Sequence, residues 1–327
     1  MNVHPIALLT GAGFTHNFGG FLADQMWEKI LNQPETYNTQ SLRETMLDEK
    51  WELNFEALYS YLRKRNESEY PYFLAALNKT FSELDEVVRK NAKNPLECNV
   101  NLDQLKVWFH QFTPTERGKK GFIFTLNQDL LFERLNHNTV PWVPGLPNAL
   151  QCGEVDRGRE IKKVRLPESI NCEDLCNHLV SLNLIKIHGS CNWLSGKKDA
   201  GDAIAIGLDK EGAIQDEPLL NCYLEIFQKV VNTANTQLWV IGYGFGDKHI
   251  NDILADSIVR SNLRLCVINP QLPKVFFNGL KKAHRYPEIR KGISAYLSNS
   301  LRGIFQVNKD KSQPLKSIEM LMRDHTR

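Results

Sequence analysis

Apolar residues along this chain fall into two rhythms, short unbroken runs and longer stretches at helical spacing. The first run, Ile6-Ala7-Leu8-Leu9, ends at Thr10 against Gly11-Ala12-Gly13, the pattern of a short buried strand that delivers a glycine turn. From about residue 22 to 118 the spacing is helical almost throughout. Leu22, Met26, Trp27, Ile30 and Leu31 recur on one helix face, and Asn54 stands as an N-cap before Phe55, Leu58, Tyr59 and Leu62. Strand patterning returns at Phe122-Ile123-Phe124-Thr125-Leu126, and four later runs, 184–187, 203–206, 238–241 and 263–268, read as strands. The runs at 122, 238 and 263 are almost continuously apolar, as strands buried on both faces of a parallel sheet are. Helical spacing at about 217–232, 248–260 and 288–301 lies among or after them. This alternation predicts an α/β fold: a doubly wound, parallel, Rossmann-like sheet carrying a large helical insertion.

The organisation that follows is one main Rossmann-like domain formed by 1–21 and 119–327, interrupted by the helical insertion at 22–118. A second, loop-rich insertion is expected at 138–181, where four prolines or glycines crowd into 141–147 ahead of a charged stretch. No internal repeat or low-complexity tract is present.

Composition narrows the partners. Of 327 residues 42% are hydrophobic, enough for a sizeable core, and 40 basic against 38 acidic side chains leave a formal charge of +2. That balance gives no electrostatic case for nucleic acid or an anionic membrane as the main partner. Basic clusters at 157–165 and 281–291 are interrupted or flanked by acids and read as solvated faces. No apolar run reaches the roughly 18 residues that span a bilayer. Met1-Asn2-Val3-His4-Pro5 shows no basic region followed by an apolar stretch, so no secretory signal is predicted. The seven cysteines are scattered from Cys98 to Cys266 without a framework, several in apolar company. They are expected to be reduced, buried thiols of a cytoplasmic protein.

Five polar or glycine-rich clusters follow strands, and in an open parallel sheet that edge is the ligand crevice. Thr10-Gly11-Ala12-Gly13-Phe14-Thr15 would bring backbone close to a pyrophosphate, although His16 stands where a dinucleotide fingerprint has its third glycine. Thr125-Leu126-Asn127-Gln128-Asp129 puts Asn and Asp at a strand-to-helix junction, where a plain N-cap would also account for Asp129. Lys186-Ile187-His188-Gly189-Ser190 offers an imidazole that works as a general base near neutral pH, with a glycine beside it that lets another molecule approach. Ile241-Gly242-Tyr243-Gly244-Phe245-Gly246-Asp247 has three glycines in five residues, suited to a wall packed on a nucleotide or to a tight turn. Val267-Ile268-Asn269-Pro270 places Asn269 within reach of a ribose hydroxyl, or merely in a turn before proline.

Taken in order, these clusters resemble the sirtuin superfamily over residues 5–20, 122–133, 183–194 and 237–271. More narrowly, Asn17-Phe18-Gly19-Gly20, Thr125-Leu126-Asn127-Gln128-Asp129 and Gly242-Tyr243-Gly244-Phe245-Gly246-Asp247 look like the sirtuin-like NADases of bacterial anti-phage defence, the type that works beside a HerA-like ATPase. The resemblance implies hydrolysis of NAD, as substrate, to nicotinamide and ADP-ribose. Asn127 would orient the acceptor water and ribose hydroxyls, and His188 would take a proton. Asp129 would hold the nicotinamide side. Gly11, Ala12 and Gly13, with Phe14 and Thr15, would cradle the pyrophosphate, and Gly242, Gly244 and Asn269 would line the adenosine half.

The departures weigh against deacylation. A zinc ribbon needs two Cys-x-x-Cys pairs, and only Cys152, Cys172, Cys176 and His178 are on offer, so no metal is expected. The Pro-Asp-Phe-Arg stretch that follows the first glycines in deacylases is replaced by Gly20-Phe21-Leu22-Ala23-Asp24. The rival readings are an NAD-dependent deacylase or ADP-ribosyltransferase, and a non-enzymatic module that senses NAD or ADP-ribose. The resemblance further implies a homo-oligomer docking onto a HerA-like ATPase through the helical insertion. Tyr59, Leu62, Trp108 and Phe109 there read either as contacts or as the insertion's own core.

Overall fold

The computed structural model describes residues 1–65, 67–135, 142–146, 163–197, 201–307 and 310–326. Among them are nine strands: β1 Ile6–Thr10, β2 Gly121–Thr125, β3 Val164–Arg165, β4 Leu182–Lys186, β5 Gly189–Leu194, β6 Asp202–Ile204, β7 Gln237–Ile241, β8 Arg264–Ile268 and β9 Ile293–Leu297. Six of them form the central sheet in the order β4-β2-β1-β7-β8-β9, with every pairing parallel. Numbered within the sheet, that order is 3-2-1-4-5-6, the Rossmann arrangement, and it reverses between β1 and β7. Every residue of β1, β2, β4 and β7 is buried, so both faces are covered, as a parallel sheet requires.

Register brings the strand ends level. Lys186 pairs with Thr125, Thr125 with Thr10, Thr10 with Ile241, and Ile241 with Ile268. The residues that leave these strands therefore emerge in one row along the carboxyl edge, although they are far apart in the chain.

Two elements differ from the sequence pattern. The helical spacing at 288–301 holds only for the helix Tyr286–Gly292; Ile293–Leu297 continues as β9, paired with β8 from Leu265↔Ile293 to Ile268↔Leu297. A short apolar run takes the conformation that fills an open sheet edge, and local spacing cannot see that edge. The run at 203–206 is a strand only over Asp202–Ile204, and it lies outside the central sheet. It pairs antiparallel with β5, which also pairs with β3, in a second three-stranded sheet.

Between β1 and β2 the chain is helical, with Ala23–Leu31, Phe55–Arg65, Tyr70–Asn91 and Leu102–Phe109 the longest segments. Tyr59, Leu62, Trp108 and Phe109 are all buried in the core, so they are not surface contacts. The helix Tyr70–Asn91 is tied to the segment after β2 by a buried two-pronged ion pair. Arg134 donates to Asp85 through Nε at 3.0 Å and through a terminal nitrogen at 2.7 Å.

Of the stretch 138–181, residues 142–146 and 163–181 are described and hold β3 and the helix Cys172–Asn177. The remainder of that expected insertion, Cys152 included, lies outside the described residues. The cysteines are not all free thiols: Cys172 is disulfide-bonded to Cys222, fifty residues away in sequence, with their Cα atoms 5.4 Å apart. Cys98, Cys191 and Cys266 are buried thiols. Among the described residues no helix is long and apolar enough to cross a membrane.

Candidate functional site

A cavity of about 870 Å³ opens at the carboxyl edge of the sheet, where the strand order reverses. Small-molecule sites run roughly 300–1,000 Å³, so this one has room for a dinucleotide. Its floor comes from the strand ends: Gly11, Ala12 and Thr15 after β1, Leu126 to Asp129 after β2, His188 after β4, and Gly242 to Gly244 with Gly246 and Asp247 after β7. Its opposite wall is built by the helical stretch between β1 and β2, through residues such as Met26, Phe55, Phe81 and Leu84.

Asn127, Thr15 and Asp129 form one buried chain on the floor. Asn127 Nδ2 donates to the Gly11 carbonyl at 3.0 Å and to Thr15 Oγ1 at 2.9 Å, and Thr15 Oγ1 donates to Asp129 Oδ2 at 2.8 Å. Asp129 also accepts the amide of Leu131 at 2.9 Å, a turn bond ahead of the helix Leu131–Arg134, whose N-cap position is Leu130 and not Asp129. Burial raises the Asp129 pKa above the usual carboxylate value, against the pull of Lys186. Lys186 is itself buried beneath the site and donates to the Asp129 carbonyl at 2.6 Å and to Glu133 at 2.8 Å. Burial would strip its charge, but Glu133 and Asp129 outweigh that and keep it protonated. The fold thus spends a full ion pair on holding the 127–133 segment in place.

His188 sits in the two-residue joint between β4 of the central sheet and β5 of the second sheet, only 2% exposed. Sequence suggested an ordinary imidazole. Burial instead drives its pKa from 6.5 to about 3, with Asp247 opposing, so the ring is neutral at physiological pH. The neighbouring Gly189 does not open a path to the imidazole. It has φ +75°, and a methyl there would lie 2.0 Å from the Ala203 carbonyl, so this glycine serves the β5–β6 contact.

His188 Nε2 lies 3.0 Å from Nε2 of His249, on the helix Lys248–Ser261, and His249 lines the same cavity. Asp247, just before that helix, accepts from Lys210 at 2.8 Å, and Lys210 also pairs with Glu56 at 2.9 Å. Burial acts to raise Asp247, yet its interactions with His188 and Lys210 outweigh that and hold the carboxylate below its usual value. Glu56 goes the other way, raised by burial despite Lys210. Besides His188, only Asp247 of these groups stood out in the sequence, as the end of the glycine-rich cluster. The Asp-x-His spacing that follows it was the available signal for His249, whereas Lys210 and Glu56 reach the site only through folding.

The remaining expected residues fall elsewhere. Gly13 is behind the floor, and its N–H donates to the Gly242 carbonyl at 2.9 Å. Gly11 N–H and Phe14 N–H are likewise taken, by the carbonyls of Ile241 and Gly11. Phe14 is fully buried, stacked on Phe132 at 5.4 Å. Asn269 is not among the cavity residues; its side chain accepts the amide of Gln271 at 2.9 Å, closing a turn before the helix Pro273–Leu280. Gly244 borders the cavity with nothing within 4 Å of where a methyl would stand.

Carboxylates outnumber cations in the lining. Asp24, Glu52, Glu56, Asp129, Asp209, Glu211 and Asp247 face Lys210 and Lys248. Both lysines are engaged by acids, Lys248 by Asp252 at 2.8 Å. The walls therefore favour positive charge, whether carried by a ligand or developing in a reaction. Compared with known proteins, the chain matches no family model and no curated protein.

Proposed function

We propose that this protein is an NAD glycohydrolase of sirtuin-like type, which breaks the bond between nicotinamide and ribose and passes the ribosyl carbon to water. The observation that carries the proposal is the convergence of Asn127, Asp129 and His188 on one cavity at the point where the strand order reverses. Nicotinamide leaves a carbon with oxocarbenium character, and the acid-rich wall supplies the negative field that stabilises it. Asn127, fixed from two sides, orients the acceptor and the ribose hydroxyls. Asp129 faces the pyridinium end, and the neutral imidazole of His188, hydrogen-bonded to His249, belongs to the group that takes up the proton the water loses. With the amides of Gly11, Gly13 and Phe14 already committed to backbone carbonyls, the pyrophosphate is assigned to the stretch around Ala12 and Thr15 rather than to the whole turn.

The test is the purified full chain incubated with NAD. Release of equal amounts of nicotinamide and ADP-ribose is the expected outcome. NAD left intact, with or without binding, would refute hydrolysis, and acyl transfer from an acyl-lysine peptide would make the protein a deacylase. Control by self-assembly and by a HerA-like ATPase belongs to the same proposal; a monomer whose full activity ignores that partner would remove it.

A further inference from the structure

The two histidines at 3.0 Å share one hydrogen, because between two ring nitrogens one must donate and the other accept. The backbone of Leu126 faces His188 and favours its protonated form. A carbonyl only accepts, so the nitrogen of His188 not occupied by His249, its Nδ1, carries a hydrogen. In a neutral ring the lone pair is then on Nε2, and the hydrogen between the rings belongs to His249. His188 is left with no nitrogen open to the cavity. His249, donating through Nε2, keeps its lone pair on Nδ1, and the residue lines the cavity. His249 also lies on the wall of a second, polar cleft of about 360 Å³, beside Glu211, Asp252 and Arg260, so its ring stands between the buried site and that cleft.

We propose that His249 is the group through which this site takes up its proton, and that His188 positions His249 and shares the resulting charge. This rests on the hydrolytic reading above. As the water oxygen bonds to C1′, the C1′–N bond breaks and its electron pair leaves with nicotinamide. The water proton goes to Nδ1 of His249, while the Nε2 hydrogen of His249 shifts to Nε2 of His188. One proton enters, and one positive charge is spread over the pair. Asp247 faces both rings and stabilises that charge. Lys210, from the segment after β6, opposes it, and Glu211 from that segment and Asp252 from the helix of His249 favour it. Each ring's charge disfavours the other's, so the pair holds a single proton.

The closing experiment reads hydrogen positions without needing turnover. In the full chain labelled with ¹⁵N-histidine, signals are assigned with His188→Gln and His249→Gln. Near neutral pH, His249 should carry its hydrogen on Nε2 and His188 on Nδ1, and acidification should move both signals in one step. His249 protonated on Nδ1, or two independent titrations, would overturn the assignment whether or not the protein cleaves NAD. Where the wild type cleaves NAD, His249→Gln keeps an N–H for His188 but cannot take a proton. It should lower kcat on the order of 10²–10³-fold with little change in KM. It should also abolish the fall in rate on acidification. His188→Gln, whose carbonyl can still accept from His249, should recover part of the activity lost in His188→Ala. Wild-type kcat in His249→Gln would overturn the proposal and leave hydrolysis standing, whereas an inactive wild type with the expected tautomers would remove the hydrolysis alone.

Discussion

The amide of Gly13 donates to the carbonyl of Gly242 at 2.9 Å, and a methyl on either residue would strike the other's backbone. On Gly13 it would stand 2.8 Å from Gly242 Cα, and on Gly242 only 2.1 Å from the Phe14 nitrogen. Glycines that look made for a ligand thus serve first to let the turns after β1 and β7 pack backbone to backbone. That packing forms the floor of the cavity.

Gly242→Ala should therefore damage the fold, since φ is +68° there and the contact is with main chain that cannot swing aside. A loss of about 2–5 kcal/mol is expected from strain and overpacking together. Gly244→Ala, with open space around the added methyl, should unfold at the wild-type denaturant midpoint. Equal midpoints for the two variants would contradict this division of roles.

Asn127→Ala removes both donors that tie the floor together, leaving the Gly11 carbonyl and Thr15 hydroxyl short of a partner. NAD cleavage should fall on the order of 10²–10⁴-fold, at least as far as in His188→Ala, because positioning and proton transfer fail together. The stability cost should be only about 1–3 kcal/mol, so circular dichroism should still report a folded protein. Wild-type turnover in a folded Asn127→Ala protein would exclude this side chain from the chemistry.

Arg134 and Asp85 are buried partners. Asp85→Ala should cost about 3–5 kcal/mol by removing the buried carboxylate that two of the guanidinium nitrogens reach. The double change Arg134→Met with Asp85→Leu should recover much of that loss. A double-mutant cycle in denaturant would show whether the two losses couple; simple additivity would mean that the pair does not act as one unit.

Acid should weaken the fold through His188. Its pKa falls from 6.5 to about 3 on folding, so between those values the unfolded chain binds a proton at this residue and the folded chain does not. The stability that neutral burial provides is complete above pH 6.5 and is lost as the pH falls towards 3, by on the order of 5 kcal/mol from this group at most. Comparing denaturant unfolding at several pH values in wild type and His188→Gln isolates that slope. Identical slopes would mean that the folded ring protonates as freely as the unfolded one.

Local pattern by itself determined a good deal. Short apolar runs with at most one interruption call for burial, so β1, β2, β4, β7 and β8 could be found along the chain, and strands alternating with helices imply a parallel sheet. Polar clusters placed just after those runs pointed to the carboxyl edge, and for Asn127, Asp129 and His188 that was enough to put them in one cavity. Tertiary structure decided what depends on neighbours distant in sequence. Ile293–Leu297 became β9 because β8 offered an edge, and Cys172 met Cys222 across fifty residues. Phe14 turned into the core, and Asn269 into its own turn. The protonation of His188 belongs to the same class: its low pKa and its bond to His249 come from burial at the joint of two sheets, and desolvation is a property of the whole fold, not of the residues beside it in the chain.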